Sequence, residues 1–175
     1  MLIERVEELR LSRADEAQIA ALLEAAFDTD FGGRSFFHQR MTLRLLARDD
    51  GRIVGHMGLL YRSVRLGEAL VDIMGLADVA TDPNRRGEGI AGRLLAEAIT
   101  VARDSPAAFF LLFGDAPLYA GHGFEPQGNP LRYLHMDGAV SHGMRDSGPD
   151  GLMVLPLRDA AWDGSALLDL LGDKF

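Results

Sequence analysis

Three strand-like segments in the middle of the chain, joined by turns too short to hold a helix, constrain the fold most. Leu43–Ala47 is followed by Asp50-Gly51, Ile53–Val64 by Leu66-Gly67-Glu68, and Ala69–Thr81 completes the set. A glycine in such a short connection supplies the positive φ of a tight turn, so the three runs read as strands of an antiparallel meander. Parallel strands would need a crossover of a dozen residues or more between them. A strand–helix–strand opening is therefore excluded for this region.

Around the meander the pattern alternates. Ile3–Leu11 reads as a first strand, and Ser12-Arg13-Ala14-Asp15 opens a helix carrying Ile19, Leu22, Leu23 and Phe27 at helical spacing. Gly32-Gly33 breaks that helix, and Phe36–Arg40 is expected to begin a short second one. Beyond the meander, Pro83 and Asn84 stop the strand, and a helix is expected from about Gly89 to Asp104 with Ile90, Leu94, Leu95, Ala98 and Val101 on one face. Phe109–Phe113 is apolar throughout, the mark of a strand buried on both faces and running parallel to a neighbour. The spacing further predicts a short helix over Pro117–Gly121, strands from Phe124 and over Leu152–Leu157, a long surface loop over Asp137–Gly151, and a terminal helix over Ser165–Leu171. The apolar Leu167–Leu171 suits either a subunit contact in a homodimer or a cap on the core. The order is α+β: one mixed, mostly antiparallel sheet in a single domain spanning residues 1–175.

Composition narrows the function classes. The 175 residues contain no cysteine, so disulfides, thiolate metal sites and a cysteine nucleophile are all out of reach, and no metal is expected. A net charge of −8 opposes a nucleic-acid partner, whose phosphates need a basic face. The longest apolar run, Ala107–Phe113, has seven residues, far short of the roughly 18 to 20 that cross a bilayer. Acidic residues stand where a signal peptide would be apolar. A cytoplasmic protein without a membrane partner is expected.

One segment of local charge runs against this acidic background. Val79-Ala80-Thr81 ends a strand, Asp82-Pro83-Asn84-Arg85-Arg86 turns the chain, and Gly87-Glu88-Gly89-Ile90-Ala91-Gly92 opens a helix. The unpaired N–H groups of a helix N-terminus attract phosphate, and glycines let a ligand approach the backbone. Arg85, Arg86 and Arg93 oppose Glu88. A P-loop is excluded, because no Gly-Lys-Ser/Thr follows. Gly87-Glu88-Gly89-Ile90-Ala91-Gly92 fits the dinucleotide fingerprint literally, with Asp115 as the distal acid, but that fingerprint sits tight against its strand in a parallel sheet. The antiparallel meander rejects it.

Arg86-Gly87-Glu88-Gly89-Ile90-Ala91 resembles instead the pyrophosphate loop of the GCN5-related N-acetyltransferases, Arg/Gln-x-x-Gly-x-Gly/Ala. Tyr119-Ala120-Gly121-His122-Gly123-Phe124 is similar to that family's Tyr-x-x-x-Gly-Phe, and Val54-Gly55-His56 recurs in bacterial members. The resemblance covers roughly residues 3 to 135. A second, narrower likeness, Gly55–Leu60 with Leu155-Pro156-Leu157 and Trp162, is to the nodulation acyltransferases of NodA type, which take a fatty acyl group from acyl carrier protein.

The main resemblance implies a fold in which two neighbouring strands splay to form an acyl-CoA cleft, and direct transfer of an acetyl group from acetyl-CoA to the primary amine of a small molecule or peptide. It implies that Arg86, Gly87, Glu88, Gly89, Ile90, Ala91 and Gly92 bind the pyrophosphate, while Val79, Ala80 and Thr81 pair with the pantetheine arm. Tyr119 is the expected general acid and Asp78 the best-placed base, with Asp72 behind it and His56 and His122 as alternatives. Acceptor selection is expected from residues 28–38, where Asp28 and Asp30 stand among Phe31, Phe36 and Phe37, and from Asp137–Gly151. A CoA-thioester sensor without catalysis would need the loop but not the acid.

Overall fold

The computed structural model describes residues 1–114 and 117–175, so Asp115 lies outside the described residues. In chain order the elements are β1 (Leu2–Glu7), α1 (Arg13–Ala26), β2 (Leu43–Asp49), β3 (Arg52–Leu66), β4 (Ala69–Thr81), α2 (Ile90–Asp104), β5 (Phe109–Phe113), α3 (Pro117–Ala120), β6 (Glu125–Pro126), β7 (Leu131–Asp137), β8 (Val140–Ser147), β9 (Leu152–Pro156) and β10 (Leu168–Asp173). The strands form one mixed sheet in the order β6-β9-β5-β4-β3-β10-β7-β8, with β2 and then β1 joined to the free edge of β3. The expected meander is present as β2–β3–β4, antiparallel at each step.

The faces of the sheet follow from the strand period of two. Along β2, Leu45 and Ala47 join the cluster under α2, while Leu46 joins the one under α1. In β5, Phe110 and Leu112 face α2, and Phe109 and Leu111 face the opposite cluster with Trp162. This strand is thus buried on both sides and pairs parallel with β4. Ser12 caps α1 by accepting from the Asp15 amide. Helix α2 packs Ile90, Leu94, Leu95 and Ala98 onto β3 and β4, and it sits close because position 55 is glycine. A Cβ there would lie 2.7 Å from Ile90 Cγ2, an overlap that packing does not tolerate.

Four expectations are corrected. Residues 36–40 form no helix; they are irregular, and the Phe37 amide donates to the Asp78 carboxylate instead. The expected loop at 137–151 is largely strand β8, paired with β7, a strand the sequence reading omitted. The expected terminal helix at 165–171 is strand β10, wedged between β3 and β7. Its Leu168 and Leu170 are fully buried within the chain's own core, so they are not free to form a subunit contact.

Candidate active site

Strands β4 and β5 hold together only from Ile73 to Leu76 on one side and Phe109 to Leu112 on the other. From Ala77 onward β4 has no strand on that side among the described residues, and a cleft opens. The cause lies on the opposite edge of β4. Its ladder with β3 runs regularly to Gly58–Ala77 and resumes at His56–Ala80, so Asp78 and Val79 bulge against one residue, Met57. Asp78 takes φ +48°, a left-handed conformation that a non-glycine residue holds only when its surroundings enforce it.

A buried chain of polar groups does so. His56 Nδ1 lies 2.7 Å from the Asp78 carbonyl oxygen, and His56 Nε2 lies 3.1 Å from Arg44 Nη1. Arginine can only donate, so Nε2 must accept and Nδ1 carries the proton. Arg44 is itself fully buried, forked onto Glu8 at 2.7 and 3.0 Å and bonded to the Ser35 carbonyl at 2.6 Å. Burial, with Arg44 adding to it, drives the His56 pKa down to about 3, so the ring is neutral and both nitrogens are engaged. His56 is therefore a strut for the bulge and is not free as a base.

The Asp78 carboxylate points into the cleft. Burial pushes its pKa up to about 6, against the amide of Phe37 and the charge of Arg44. It lines a cavity of about 290 Å³ whose walls include Val79, Leu112, Phe113 and Tyr119. Tyr119, on α3, is half-buried and packs edge-on against Phe124. Burial raises its pKa above the usual phenol value, and its hydroxyl has no hydrogen-bond partner among the described residues.

Next along β4 is a cavity of about 530 Å³ lined by Val79, Ala80, Thr81, Arg86, Gly87, Gly89, Ile90, Ala91 and Gly92. Gly87 and Gly89 take φ +85° and +75°, and no side chain caps α2. The first amides of the helix therefore face open space with their partial positive charge, which favours a negative group there. The arginines divide. Arg85 is bound by Asp49 at 3.0 Å and Glu88 at 2.7 Å, which removes it from the positive charge expected at the loop. Arg86 reaches the last carbonyl of α1, at Ala26; both arginines line the cavity.

The other base candidates are elsewhere. Asp72 is exposed near the far end of β4, hydrogen-bonded to Ser63 and Tyr61. His122 Nδ1 bonds the Leu118 carbonyl and closes the turn after α3. Asp28 and Asp30 stay exposed at the rim, while Phe31 and Phe37 turn inward to line the cavity beside Asp78. Trp162 donates to Asn129 and packs edge-on against Phe109, a core role far from the cleft. Sequence reasoning missed Arg44, whose placement under the bulge is tertiary, and Phe175, which lines the cavity from the other end of the chain.

Known proteins share this fold. Residues 9–127 match the family described as the Acetyltransferase (GNAT) domain. The N-acetyltransferase YhbS of Escherichia coli K12 is 33% identical over 116 residues, 63% of this chain and 68% of that protein. YjhQ of the same organism, also named an N-acetyltransferase, is 37% identical over 99 residues, 54% of each chain. The crystal structure of E. coli YhbS in complex with CoA superposes with a TM-score of 0.68 at 24% identity, covering 97% of this chain and 88% of that one. A Brucella melitensis GNAT acetyltransferase in complex with acetyl-CoA gives 0.60 at 23% identity, covering 94% of each. The chain belongs to the GNAT acetyltransferases.

Proposed function

We propose that the protein transfers an acetyl group from acetyl-CoA to a primary amine by direct attack on the thioester. The observation that carries this reading is the sequence of cavities along β4. The amide-lined space at residues 86–92 shares Phe27 and Val79 with the cavity that holds Asp78 and Tyr119. A pyrophosphate at the first would direct the pantetheine arm along Val79–Thr81, whose edge facing β5 has no strand partner among the described residues, into the second.

Asp78 takes one proton from the incoming ammonium, a task suited to a carboxylate poised near neutral pH. The freed amine attacks the thioester carbon, and a backbone amide near Thr81 would face the oxygen as it gains charge; one such donor is worth about 3 kcal/mol in barrier. As the C–S bond breaks, Tyr119 gives its phenolic proton to the departing thiolate, and the proton left on nitrogen passes to solvent. The products are an amide and CoA. A sensor that only bound the thioester would need neither Asp78 nor Tyr119 in the cavity, and both line it.

Thermal melts with acetyl-CoA, CoA and NAD test the ligand class. A hundredfold excess over Kd stabilises by about 2.7 kcal/mol, so acetyl-CoA and CoA are expected to raise Tm and NAD to leave it alone. Stabilisation by NAD without CoA overturns the reading. Turnover across acyl chain lengths tests the donor: a cavity at the small end of ligand-pocket sizes favours the acetyl group, and a preference for fatty acyl thioesters would move the protein to the NodA type.

A further inference from the structure

A second pocket, of about 340 Å³, lies on the other side of Asp78. It shares Phe37, Ala77, Asp78, Phe113 and Phe175 with the thioester cavity, so Asp78 stands in the partition between them. On one side Met41 and Leu60 complete the aromatic surface, and Gln39, His38, Asp150, Asp173 and Lys174 line the remainder.

The charges around this pocket cancel almost completely. Among the described residues that line it, those carrying titratable groups are His38, Asp78, Asp150, Asp173 and Lys174. Asp150 pairs with Lys174 at 3.3 Å, and Asp173 pairs with Arg62 at 3.2 Å. His38 holds its Nδ1 on the Lys174 carbonyl at 2.7 Å and 3.7 Å from the second oxygen of the Asp173 carboxylate. Asp78 is the one carboxylate of this set without a basic side chain within ion-pair distance.

Resting on the transfer reaction above, we infer that the acceptor is a compact monoamine, a single ammonium on an apolar aryl-alkyl or branched-alkyl body. Its nitrogen sits at Asp78 and its body lies between Phe37, Met41, Leu60 and Phe175. A second ammonium carried into the pocket would meet apolar wall or carboxylates already paired, and an unpaired buried charge is strongly disfavoured. An amino-acid carboxylate next to the amine would meet the same apolar wall and the like charge of Asp78. The volume suits a small molecule, at the low end of ligand-pocket sizes.

The experiment follows CoA thiol release with four acceptors: phenethylamine, isoamylamine, phenylalanine and spermidine. The two monoamines are expected to exceed the other two by about 100-fold in kcat/KM, the size of discrimination an unpaired buried charge imposes. Phenylalanine is the matched control, since it differs from phenethylamine by one carboxylate. In Lys174→Met the loss of the ammonium frees Asp150, and kcat/KM for 1,4-diaminobutane relative to phenethylamine is expected to rise about tenfold, the effect of one new ion pair. Spermidine or phenylalanine turned over as well as phenethylamine, or an unchanged ratio in Lys174→Met, overturns the inference. An enzyme that binds acetyl-CoA but ignores both monoamines overturns it while leaving the transfer reaction standing. Failure to bind acetyl-CoA at all removes that reaction and this inference together.

Discussion

The Nδ1–H of His56 donates to the main-chain carbonyl of Asp78 across 2.7 Å, and this bond ties the shape of the cleft to a buried ion pair some distance behind it. The Asp78 carbonyl turns into the sheet, its carboxylate turns out into the cleft, and φ +48° is the backbone solution that allows both. Arg44 and Glu8 fix the imidazole from below.

His56→Ala is expected to lose about 2–4 kcal/mol of stability, because it opens a cavity and leaves Arg44 Nη1 and the Asp78 carbonyl without partners. His56→Gln, whose amide can donate to one and accept from the other, should recover part of that loss and part of kcat. The pH dependence has a definite sign. Unfolded, a histidine titrates near 6.5; here the value is about 3, so the unfolded chain binds more protons between those limits. The stability contributed by neutral His56 is complete above pH 6.5 and is lost as pH falls, by at most about 1.4 kcal/mol per unit. Denaturant melts from pH 4 to 7 should show a shallower slope in His56→Gln than in the wild type, and identical slopes would remove His56 from the acid response.

Asp78→Asn acts on both rate and stability. Its kcat/KM is expected to fall at least a hundredfold, the usual worth of a positioned base. In the wild type kcat/KM should climb as pH rises through about 6, where the carboxylate forms; the variant should lack that limb. Folding raises the Asp78 pKa, so the folded chain binds the extra proton between about pH 4 and 6, and its charge destabilises the fold above that window. Asparagine keeps an oxygen for the Phe37 amide and carries no charge. Allowing for contact with pocket water, the variant should be more stable by about 2 kcal/mol at pH 7, with the gain vanishing below pH 4. Equal stability at both pH values would show that the carboxylate is better solvated than its place in the wall implies.

Tyr119→Phe removes a hydroxyl that has no partner among the described residues, so no buried group is stranded and Tm should stay within a degree or two. The ring keeps its edge contact with Phe124. The expected result is a kcat lowered by ten- to a hundredfold or more, with acetyl-CoA affinity unchanged, as measured by calorimetry beside steady-state rates. An unchanged kcat would assign the thiolate's proton to solvent.

Legibility in the sequence followed the reach of the interactions involved. The meander and the glycine-opened start of α2 were readable because glycine, proline and hydrophobic period act locally. Strand β10 was misread because Leu167, Leu168, Leu170 and Leu171 fit a helical stripe as well as an alternating one. Only the pairing with β3 and β7 decides that Leu168 and Leu170 go inward while Leu171 faces out, at φ +51°. Strand β8 is exposed on both faces, so it carries no apolar alternation, and ladder bonds to β7 alone define it. The sequence marks Asp78 only by its nearness to Val79. Its surroundings, the bulge, the Phe37 amide and the burial, come from residues some 20 to 40 positions away.

Gly92→Ala separates the two demands made on the start of α2. The residue lies in the first turn of the helix, and among the described residues a Cβ there would meet only Leu118, at 3.9 Å. Alanine in a helix is favoured over glycine by up to about 1 kcal/mol, so the ligand-free variant should melt a few degrees higher. Gly92 also lines the cavity at the helix N-terminus, and the added methyl group would occupy the approach to the amides. Acetyl-CoA Kd is therefore expected to rise about tenfold or more while the protein itself gains stability, a pairing of signs that general damage cannot produce. Gly89→Ala should weaken binding as well, but with a loss of about 1 kcal/mol or more in stability, because its φ of +75° is strained for any side chain. If Gly92→Ala bound acetyl-CoA as tightly as the wild type, the phosphates would have to lie elsewhere than against this helix.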